Sequence, residues 1–229
     1  MRIEKHEGKI LRQGKAMEKR KDRVKGYYFI TDSGLSRAGN VSDVQQAEAC
    51  GVGIVQYRNK NAETREMYEE ALQLREICRS AAFLINDRID IALAVNADGV
   101  HLGQSDMPYA AARRMLGPEK IIGITVHNLA EALEAESLGA DYLGVSPIYQ
   151  TATKPDAGKP AGIALMEEIR ARVNIPLVGI GGINLANAPE VIRAGADGVC
   201  AISAVVAKEN VGKEIRKFQE LFRAAEERD

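Results

Sequence analysis

The sequence predicts a single α/β domain, a closed (β/α)8 or TIM barrel, with a charged N-terminal extension. Two observations support this prediction. Short apolar segments of strand character alternate with helical segments, which is typical of a parallel sheet covered by helices. Eight such strand–helix units, each of about 25 residues, fit between residues 26 and 229, and this repeat is typical of a barrel.

The predicted strands are short apolar runs that end in polar residues. In chain order they are Tyr27–Thr31, Gly53–Tyr57, Phe83–Ile85, Gly99–Leu102, Ile121–Ile124, Tyr142–Val145, Leu177–Ile180 and Gly198–Ala201. Their continuous apolar character indicates strands that are buried on both faces. An open doubly wound sheet is the alternative, but the glycine fingerprint near the N-terminus that would favour it is missing.

Each predicted strand is followed by a helical segment. These helices are Val41–Cys50, Glu63–Ser80, Ile89–Val95, one that begins at Pro108, Leu129–Leu138, Ile163–Val173, Ala186–Ala194 and Val211–Ala225. Proline suits the first turn of a helix, and Gly117-Pro118 predicts where that helix ends. A repeated Asn/Gly-Ala-Asp sequence at 96–98, 139–141 and 195–197 joins a helix exit, suited to a left-handed cap, to the next strand.

Bulk composition narrows the function classes. The chain has a net charge of -1, which offers no general attraction to nucleic acid or to a membrane surface. No apolar run approaches a membrane span. Cys50, Cys78 and Cys200 are scattered, which suggests a reducing compartment, the cytoplasm. We expect small-molecule partners, no nucleic acid and no membrane, and the sequence leaves open whether copies form a homo-oligomer.

Residues 1–25 differ from the rest of the chain because they are rich in Lys and Arg and have only a thin apolar stripe. This pattern predicts a solvated helix or a mobile arm. A role in nucleic-acid binding is the alternative, but the arm lacks the interleaved aromatic residues that would support it. The barrel domain is therefore expected to occupy residues 26–229.

Polar residues follow the predicted second strand, where a barrel places its active site. The segment Gln56-Tyr57-Arg58-Asn59-Lys60 continues directly from a buried strand and carries two cations and two amides. The planar fork of Arg and the point charge of Lys together suit a diphosphate. The alternative is a solvated loop. The segment predicts an anion site.

Carboxylates follow the third and fourth predicted strands. Asn86 and Asp87 end the third, and Asp106 follows the fourth. If these strands are parallel neighbours, Asp87 and Asp106 face one volume and repel each other unless a cation lies between them. Mg²⁺ is usually held by one or two carboxylates and substrate phosphates, so the pair predicts one Mg²⁺ per active site. Taken singly, each of the three residues could instead cap the following helix.

Two histidines lie in or just after predicted strands, and Thr125 is at the end of the fifth strand. His127 follows Thr125 and, as a lone histidine, is more often a hydrogen-bonded structural residue than a base. His101 lies inside the fourth strand and is predicted to be a core residue whose ring nitrogens are satisfied. Neither histidine alone predicts a chemistry.

A monophosphate site is predicted at the opposite side of the barrel mouth. The loop Ser146–Gly162 is long enough to be a binding loop, and it carries Thr151, Thr153 and Lys154. Glycines in Gly179–Ile183 after strand seven, with Ser203 after strand eight, match the usual phosphate site of such barrels. Glycine lets backbone N–H groups approach phosphate oxygens closely, and a helix N-terminus adds a favourable dipole.

Together these motifs resemble the thiamine-phosphate synthase family over most of the chain, from about Tyr27 to Val206. The segments that carry the resemblance are Tyr27–Asp32, Gln56–Lys60, Ile85–Arg88, Gly99–Pro108, Gly123–Asn128, Ser146–Gly162, Gly179–Ile183 and Gly198–Ala204. The resemblance implies a transferase that joins 4-amino-2-methylpyrimidine-5-methyl diphosphate to a thiazole phosphate. The products would be thiamine phosphate and pyrophosphate.

The resemblance also implies a role for each site residue. The pyrimidine diphosphate would contact Gln56, Tyr57, Arg58, Asn59, Lys60, Asn86, Thr125 and Lys154, of which Arg58, Lys60, Thr125 and Lys154 would be catalytic. The thiazole phosphate would contact Thr151, Ala152, Thr153, Gly182, Ile202 and Ser203. Asp87 and Asp106 would hold Mg²⁺. The family often carries Ser where this chain has Thr125, so the hydroxyl is retained with one added methyl group.

Two other functions fit the same fold. A barrel that isomerises the thiazole phosphate, or a non-catalytic regulator that binds a phosphate ligand, would need the monophosphate site but not the metal pair. The presence of Arg58, Lys60, Asp87 and Asp106 argues against both.

Overall fold

The computed structural model describes residues 23–151, 153 and 159–227, and its parallel strands confirm the predicted barrel. The strands are β1 Gly26–Tyr27, β2 Phe29–Ile30, β3 Ile54–Tyr57, β4 Ala82–Asn86, β5 Gly99–Leu102, β6 Ile121–Val126, β7 Tyr142–Val145, β8 Leu177–Ile180 and β9 Gly198–Cys200. Residues 1–22 of the predicted arm, and the predicted site residues Ala152 and Lys154, lie outside the described residues.

The predicted first strand is two short strands that close the barrel. The sheet order is β1-β9-β8-β7-β6-β5-β4-β3-β2, so β1 and β2 are its two edges, and only Tyr28 separates them in the chain. β1 pairs with β9 and β2 pairs with β3, both in parallel. The N–H of Tyr28 donates to the carbonyl of Val199 at 2.9 Å. Because strands in a barrel are staggered, this one stretch of chain reaches both neighbours at different heights.

Nine helices lie within the described ranges. They are α1 Asn40–Ala49, α2 Thr64–Ile77, α3 Ile89–Ala94, α4 Tyr109–Leu116, α5 Leu129–Leu138, α6 Gly162–Arg170, α7 Ala188–Arg193, α8 Ile202–Val206 and α9 Val211–Glu226. The prediction of eight helices missed α8, because five residues are too few to show a helical period. None of these described helices combines the length and apolarity needed to cross a bilayer.

The strands are apolar throughout because both of their faces are buried. One core lies between the strands and the helices and includes Phe83 and Ile85 of β4. The second core fills the barrel lumen and includes Leu84 of the same strand. Successive side chains of a strand point to opposite faces, so each strand supplies both cores. The lumen core is formed by Val24, Tyr28, Ile30, Ile54, Ala82, Leu84, Ile121, Tyr142, Val178 and Cys200.

Asp98, Asp141 and Asp197, which precede β5, β7 and β9, link the amino ends of neighbouring strands to the helix layer. Each carboxylate accepts a hydrogen bond from a backbone N–H at the start of the preceding strand and forms an ion pair with an Arg of a covering helix. The partners are Phe83 (2.8 Å) and Arg75 (3.3 Å) for Asp98, Ile122 (2.9 Å) and Arg113 (2.8 Å) for Asp141, and Leu177 (2.9 Å) and Arg170 (3.1 Å) for Asp197. The motif that sequence analysis assigned to helix ends therefore also links neighbouring strands to the helix layer.

We expect the contribution of these Asp–Arg pairs to the unfolding free energy to increase with their burial. The side chains of Asp141 and Arg113 are 7% and 22% exposed, whereas that of Asp98 is 37% exposed. Asp141→Asn leaves a largely buried Arg113 charge uncompensated, which costs roughly 3 kcal/mol of unfolding free energy. Asp98→Asn removes a partly solvated pair and should cost less than about 1 kcal/mol. Urea unfolding of both variants measures the difference, and equal losses would contradict this ranking.

Candidate active site

A cavity of ≈ 240 Å³ opens at the carboxyl ends of the strands. Most of the predicted site residues line it, although they come from seven different strand ends and loops. Those that line it are Gln56, Arg58, Lys60, Asn86, Asp87, Asp106, Thr125, Thr151, Thr153, Gly182, Ile202 and Ser203. The barrel thus brings the predicted diphosphate side and the predicted monophosphate side to one volume.

Asp87 is held in an unusual backbone conformation at the end of β4. Its φ is 61°, and the N–H of Arg88 donates to the carbonyl of Asn86 at 2.7 Å, so Asp87 is the central residue of a γ-turn. Such turns with a positive central φ are rare and strained. The N–H of Asp87 also donates to the carbonyl of His101 on β5 at 2.9 Å, which fixes the turn to the next strand. Strain held in place this way is typical of functional positions.

Asn86, Asp87 and Asp106 do not cap the helices that follow them. α3 begins after Arg88 and α4 begins after Pro108, and neither helix has a side-chain cap. Asp106 instead accepts a hydrogen bond from the backbone N–H of Gly103 at 2.6 Å, within its own loop. Asn86 and Asp87 precede α3 without bonding to its first turn. The helix-capping interpretation of Asp87 and Asp106 is therefore wrong, and both carboxylates remain available to the cavity.

The two carboxylates interact with each other. Burial, and next the neighbouring Asp106 carboxylate, raise the pKa of Asp87 to about 6. Lys60 opposes this shift, with its Nζ 3.8 Å from Oδ2 of Asp87. A like-charged carboxylate raises a pKa because two negative charges in one site disfavour ionisation. Lys60 therefore compensates the negative charge of this pair only in part, and a bound cation would supply the rest.

The donor set fits a hard divalent cation. Nowhere in the described ranges do three or more His, Cys, Asp or Glu side chains form a group that could hold a metal. Asp87 and Asp106 would therefore supply two carboxylates, and the remaining ligands would be water or substrate oxygens. That composition suits Mg²⁺, which keeps several waters and is usually bound through one or two carboxylates and phosphates.

Arg58 and Lys60 place positive charge on the same side of the cavity. The backbone N–H of Arg58 donates to the Thr31 hydroxyl at 2.9 Å, which extends the pairing of β2 with β3. Nη1 of Arg58 lies 3.7 Å from Oδ2 of Asp32, and the two side chains are only 16% and 15% exposed. Because this ion pair is long and Arg58 lines the cavity, its guanidinium can turn donors toward a bound anion.

Tyr57 and Asn59 turn away from the cavity. Neither lines it, and both hydrogen-bond the Glu70 carboxylate on α2, with Tyr57 at 2.6 Å and Asn59 at 3.5 Å. Alternation along the strand is the reason, since residues 56, 58 and 60 face one side and residues 57 and 59 face the other. These two residues therefore support the loop from behind and do not contact the cavity contents in this structure.

The opposite wall of the cavity is built from glycines and the start of α8. Gly181 and Gly182 have φ angles of 98° and 64°, a region that favours glycine. A side chain at Gly182 would also collide with Tyr149 and the carbonyl of Gln150, because the loop after β7 packs closely there. Ile202 and Ser203 belong to the first turn of α8, where backbone N–H groups lack helical partners. Backbone N–H groups of this wall would be the donors for an anion bound there.

Several cavity residues were not predicted to be site residues. His101 is a satisfied core residue, as expected, but it also lines the cavity, as do Gln104 and Ser105. His127 lines the cavity and pairs with Glu131 on α5 at 3.0 Å. The available signal was position, because Gln104 and Ser105 lie in the loop that follows a strand end, one residue beyond it. Their side chains are common in ordinary loops, so residue type alone does not indicate a site.

The comparisons with known proteins agree on one family. A family model described as thiamine monophosphate synthase matches residues 27–205. Thiamine-phosphate synthase of Methanosarcina mazei is 54% identical over 198 residues, covering 86% of this chain and 82% of that protein. The protein of the same name from Chloroflexus aurantiacus is 52% identical over 204 residues, covering 88% of this chain and 94% of its own length.

Solved structures give the same result. A thiamine phosphate pyrophosphorylase from Pyrococcus furiosus superimposes with a TM-score of 0.82 at 43% identity, covering 89% of this chain and 98% of that one. A 3-hexulose-6-phosphate synthase superimposes with a TM-score of 0.63 at 16% identity, which shows the shared barrel fold alone.

Asp87→Asn should stabilise the metal-free protein, because Asn tolerates positive φ and removes the carboxylate repulsion. The folded pKa of about 6 lies above the ordinary 3.8, so the ionised form destabilises the fold at pH 8 and not below pH 3.8. We expect a gain of roughly 1 to 3 kcal/mol at pH 8, shrinking toward zero as the pH falls to 4. Urea unfolding with a chelator measures it. Asp90→Asn, which removes an exposed partner of Arg88, is the control and should give no gain.

Proposed function

The chain belongs to the thiamine monophosphate synthase family, and from this premise we propose that it joins a pyrimidine diphosphate to a thiazole phosphate. The substrates would be 4-amino-2-methylpyrimidine-5-methyl diphosphate and the thiazole phosphate, and the products thiamine phosphate and pyrophosphate. One observation supports this best: a single cavity holds an acid pair flanked by cations on one wall and backbone donors for a phosphate on the other.

We assign the diphosphate to the wall formed by Arg58, Lys60, Asp87 and Asp106. Mg²⁺ held by the two carboxylates would neutralise them and stabilise the charge that develops on the departing diphosphate. Lys60 already lies 3.8 Å from Asp87, so it can reach diphosphate oxygens bound at the acid pair. Arg58 can offer its planar fork to the same anion. Asn86, and Lys154 outside the described residues, complete the predicted contacts.

We assign the thiazole phosphate to the glycine wall. Gly182, Ile202 and Ser203 line that side, together with Thr151 and Thr153. The Thr151 hydroxyl accepts the N–H of Thr153 at 3.2 Å, which links these two residues. Holding the thiazole by its phosphate would present its ring nitrogen to the pyrimidine. Such positioning replaces much of the entropy cost of a bimolecular reaction.

The reaction can then proceed by dissociative substitution. The bond between the pyrimidine methylene and the diphosphate oxygen breaks, and its electron pair leaves with pyrophosphate. The electron-rich aminopyrimidine delocalises the positive charge left on the methylene. The thiazole nitrogen then donates its lone pair to form the new C–N bond. Arg58 and Lys60 contribute by stabilising the leaving group at the point where negative charge develops.

The described part of the cavity provides no activated nucleophile for a covalent route. Cys200 lines the cavity, but burial raises the pKa of its thiol well above the ordinary value, so it stays protonated. The ring of His127 pairs with Glu131, and the ring of His101 bonds Tyr142 and Thr125. These arrangements support a direct transfer between the two substrates.

We propose that this activity takes place in the cytoplasm and that its partners are small-molecule substrates. Cys50, Cys78 and Cys200 are free thiols, which suits a reducing compartment. A thiazole-phosphate isomerase or a phosphate-binding regulator would use only the glycine wall. Neither would need Lys60 beside a strained, like-charged acid pair.

Asp87→Asn should abolish efficient condensation while keeping the fold. Loss of one of two metal carboxylates should remove several kcal/mol of transition-state stabilisation, or about a thousandfold in rate. Pyrophosphate release, with both substrates present and Mg²⁺ added or chelated, measures it. Asp90→Asn, whose carboxylate pairs with Arg88 outside the cavity, is the matched control. Near-normal release by Asp87→Asn would refute the metal assignment.

No covalent pyrimidine–protein adduct should form during turnover. Because the cavity side chains described above are protonated or already hydrogen-bonded, the methylene cation should be captured only by the thiazole or by water. Acid quenching of the enzyme with a labelled pyrimidine diphosphate, followed by intact-protein mass spectrometry, tests this. Cys200→Ala should leave the labelled products unchanged. A stoichiometric adduct that disappears on adding the thiazole phosphate would establish a covalent route.

A further inference from the structure

A continuous chain of hydrogen bonds crosses the barrel lumen from β3 to β6. Nε2 of Gln56 donates to the Tyr28 hydroxyl at 2.8 Å, and the Tyr28 and Tyr142 hydroxyls lie 2.6 Å apart. The Tyr142 hydroxyl is 2.8 Å from Nδ1 of His101, and Nε2 of His101 is 2.7 Å from the Thr125 hydroxyl. We call these five residues the lumen chain. Its two ends, Gln56 and Thr125, line the cavity.

The lumen chain has one direction. An amide NH₂ only donates, so Tyr28 accepts from Gln56 and must give its single proton to Tyr142. Tyr142 then donates to Nδ1 of His101, which makes Nδ1 the unprotonated nitrogen of a neutral ring. Nε2 therefore carries the proton and donates to the Thr125 hydroxyl. The proton of Thr125 is left for a partner beyond the chain.

The barrel is shaped around the middle of this chain. Tyr28, Tyr142 and His101 are at most 5% exposed, so their polar atoms depend on one another for hydrogen bonds. A side chain at Gly123 on β6 would collide with the Tyr142 ring. One at Gly144 on β7 would come within 3.1 Å of the His101 ring. Gly123 and Gly144 thus leave space for the rings of Tyr142 and His101 in the lumen chain.

We propose that Tyr28, Tyr142 and His101 are positioning residues that set the hydrogen-bonding pattern which the cavity offers to the pyrimidine ring. The bond from Gln56 Nε2 to Tyr28 uses one of the two amide N–H donors and fixes the orientation of the amide, so that its oxygen is offered to a ligand as an acceptor. With Thr125 accepting from His101, its hydroxyl is a donor. The cavity is thereby selective for a ring whose donor faces Gln56 and whose acceptor faces Thr125. This proposal rests on the proposed function.

An aminopyrimidine carries that pair. Its exocyclic amine donates and the adjacent ring nitrogen accepts. The corresponding oxo compound reverses both positions, since its ring nitrogen carries a proton and its oxygen accepts. A site built to hydrogen-bond one pattern leaves buried polar groups unpaired with the other, which is a strong source of discrimination. To match the reversed pattern, the Gln56 amide would have to turn over and the Thr125 hydroxyl would have to redirect its proton, and both changes would break bonds of the lumen chain.

The test uses two probes that lack the diphosphate, so that neither metal nor catalysis is needed. They are 4-amino-2-methyl-5-hydroxymethylpyrimidine and its 4-oxo counterpart, with affinities measured by titration calorimetry. We expect the full-length protein to prefer the amino compound by about 100-fold or more. Tyr142→Phe interrupts the chain at its centre and should reduce that preference to within about tenfold, mainly by weakening the amino compound.

A matched control separates this effect from the loss of any buried hydroxyl. Tyr27 is also buried and donates to the Ala201 carbonyl at 3.2 Å. It lies in the core between the strands and the helices and is not part of the lumen chain. Tyr27→Phe should keep the preference. The proposal is overturned if Tyr142→Phe keeps the preference, if both variants lower it alike, or if the unmutated protein binds neither probe or binds both equally.

A second measurement needs no variant and covers the case in which Tyr142→Phe does not fold. In ¹⁵N NMR spectra of the histidine-labelled protein, His101 should be neutral with its proton on Nε2, and a proton on Nδ1 overturns the proposal. Failure of the proposed function is a separate outcome. The protein could release no pyrophosphate from the two substrates and still show the expected preference, which would leave the lumen chain standing and refute the synthase assignment.

Discussion

The repulsion between Asp87 and Asp106 is the constraint on which the rest of the site depends. Two carboxylates come together only because the barrel holds them there. A γ-turn with positive φ, fixed by a bond to His101, presents Asp87, and the Gly103 N–H holds Asp106. Lys60 offsets this repulsion only in part. The site therefore carries uncompensated negative charge, which the proposed divalent cation would neutralise.

The barrel separates the carboxylate repulsion at the site from the interactions that stabilise the fold. At the amino ends of the strands, Asp98, Asp141 and Asp197 each satisfy a backbone N–H and pair with an Arg, so charge there is compensated. At the carboxyl ends, charge is left uncompensated and backbone strain is retained. Because the two arrangements lie at opposite rims, the site can be destabilised locally while the sheet remains closed through Tyr28.

Sequence reasoning predicted the barrel and the strand ends, but not which way each side chain points. It grouped Tyr57 and Asn59 with Gln56, Arg58 and Lys60, and the alternation of the strand separates them. It placed His101 in the core, which is confirmed, but the barrel lumen serves as both core and site floor. The single-residue break at Tyr28 and the five-residue α8 were beyond pattern reasoning, because neither is long enough to show a period.

The proposed cation-like intermediate would need surroundings that do not react with it. The lumen residues, which would lie near the pyrimidine, meet this need although they are polar. The hydroxyls of Tyr28 and Tyr142 are engaged in the lumen chain, and burial raises the pKa of both well above the ordinary value. The Cys200 thiol is protonated for the same reason. Polar groups that are fully hydrogen-bonded can thus orient the pyrimidine without acting as bases or nucleophiles, whereas an apolar lumen could exclude water but could not orient the ring.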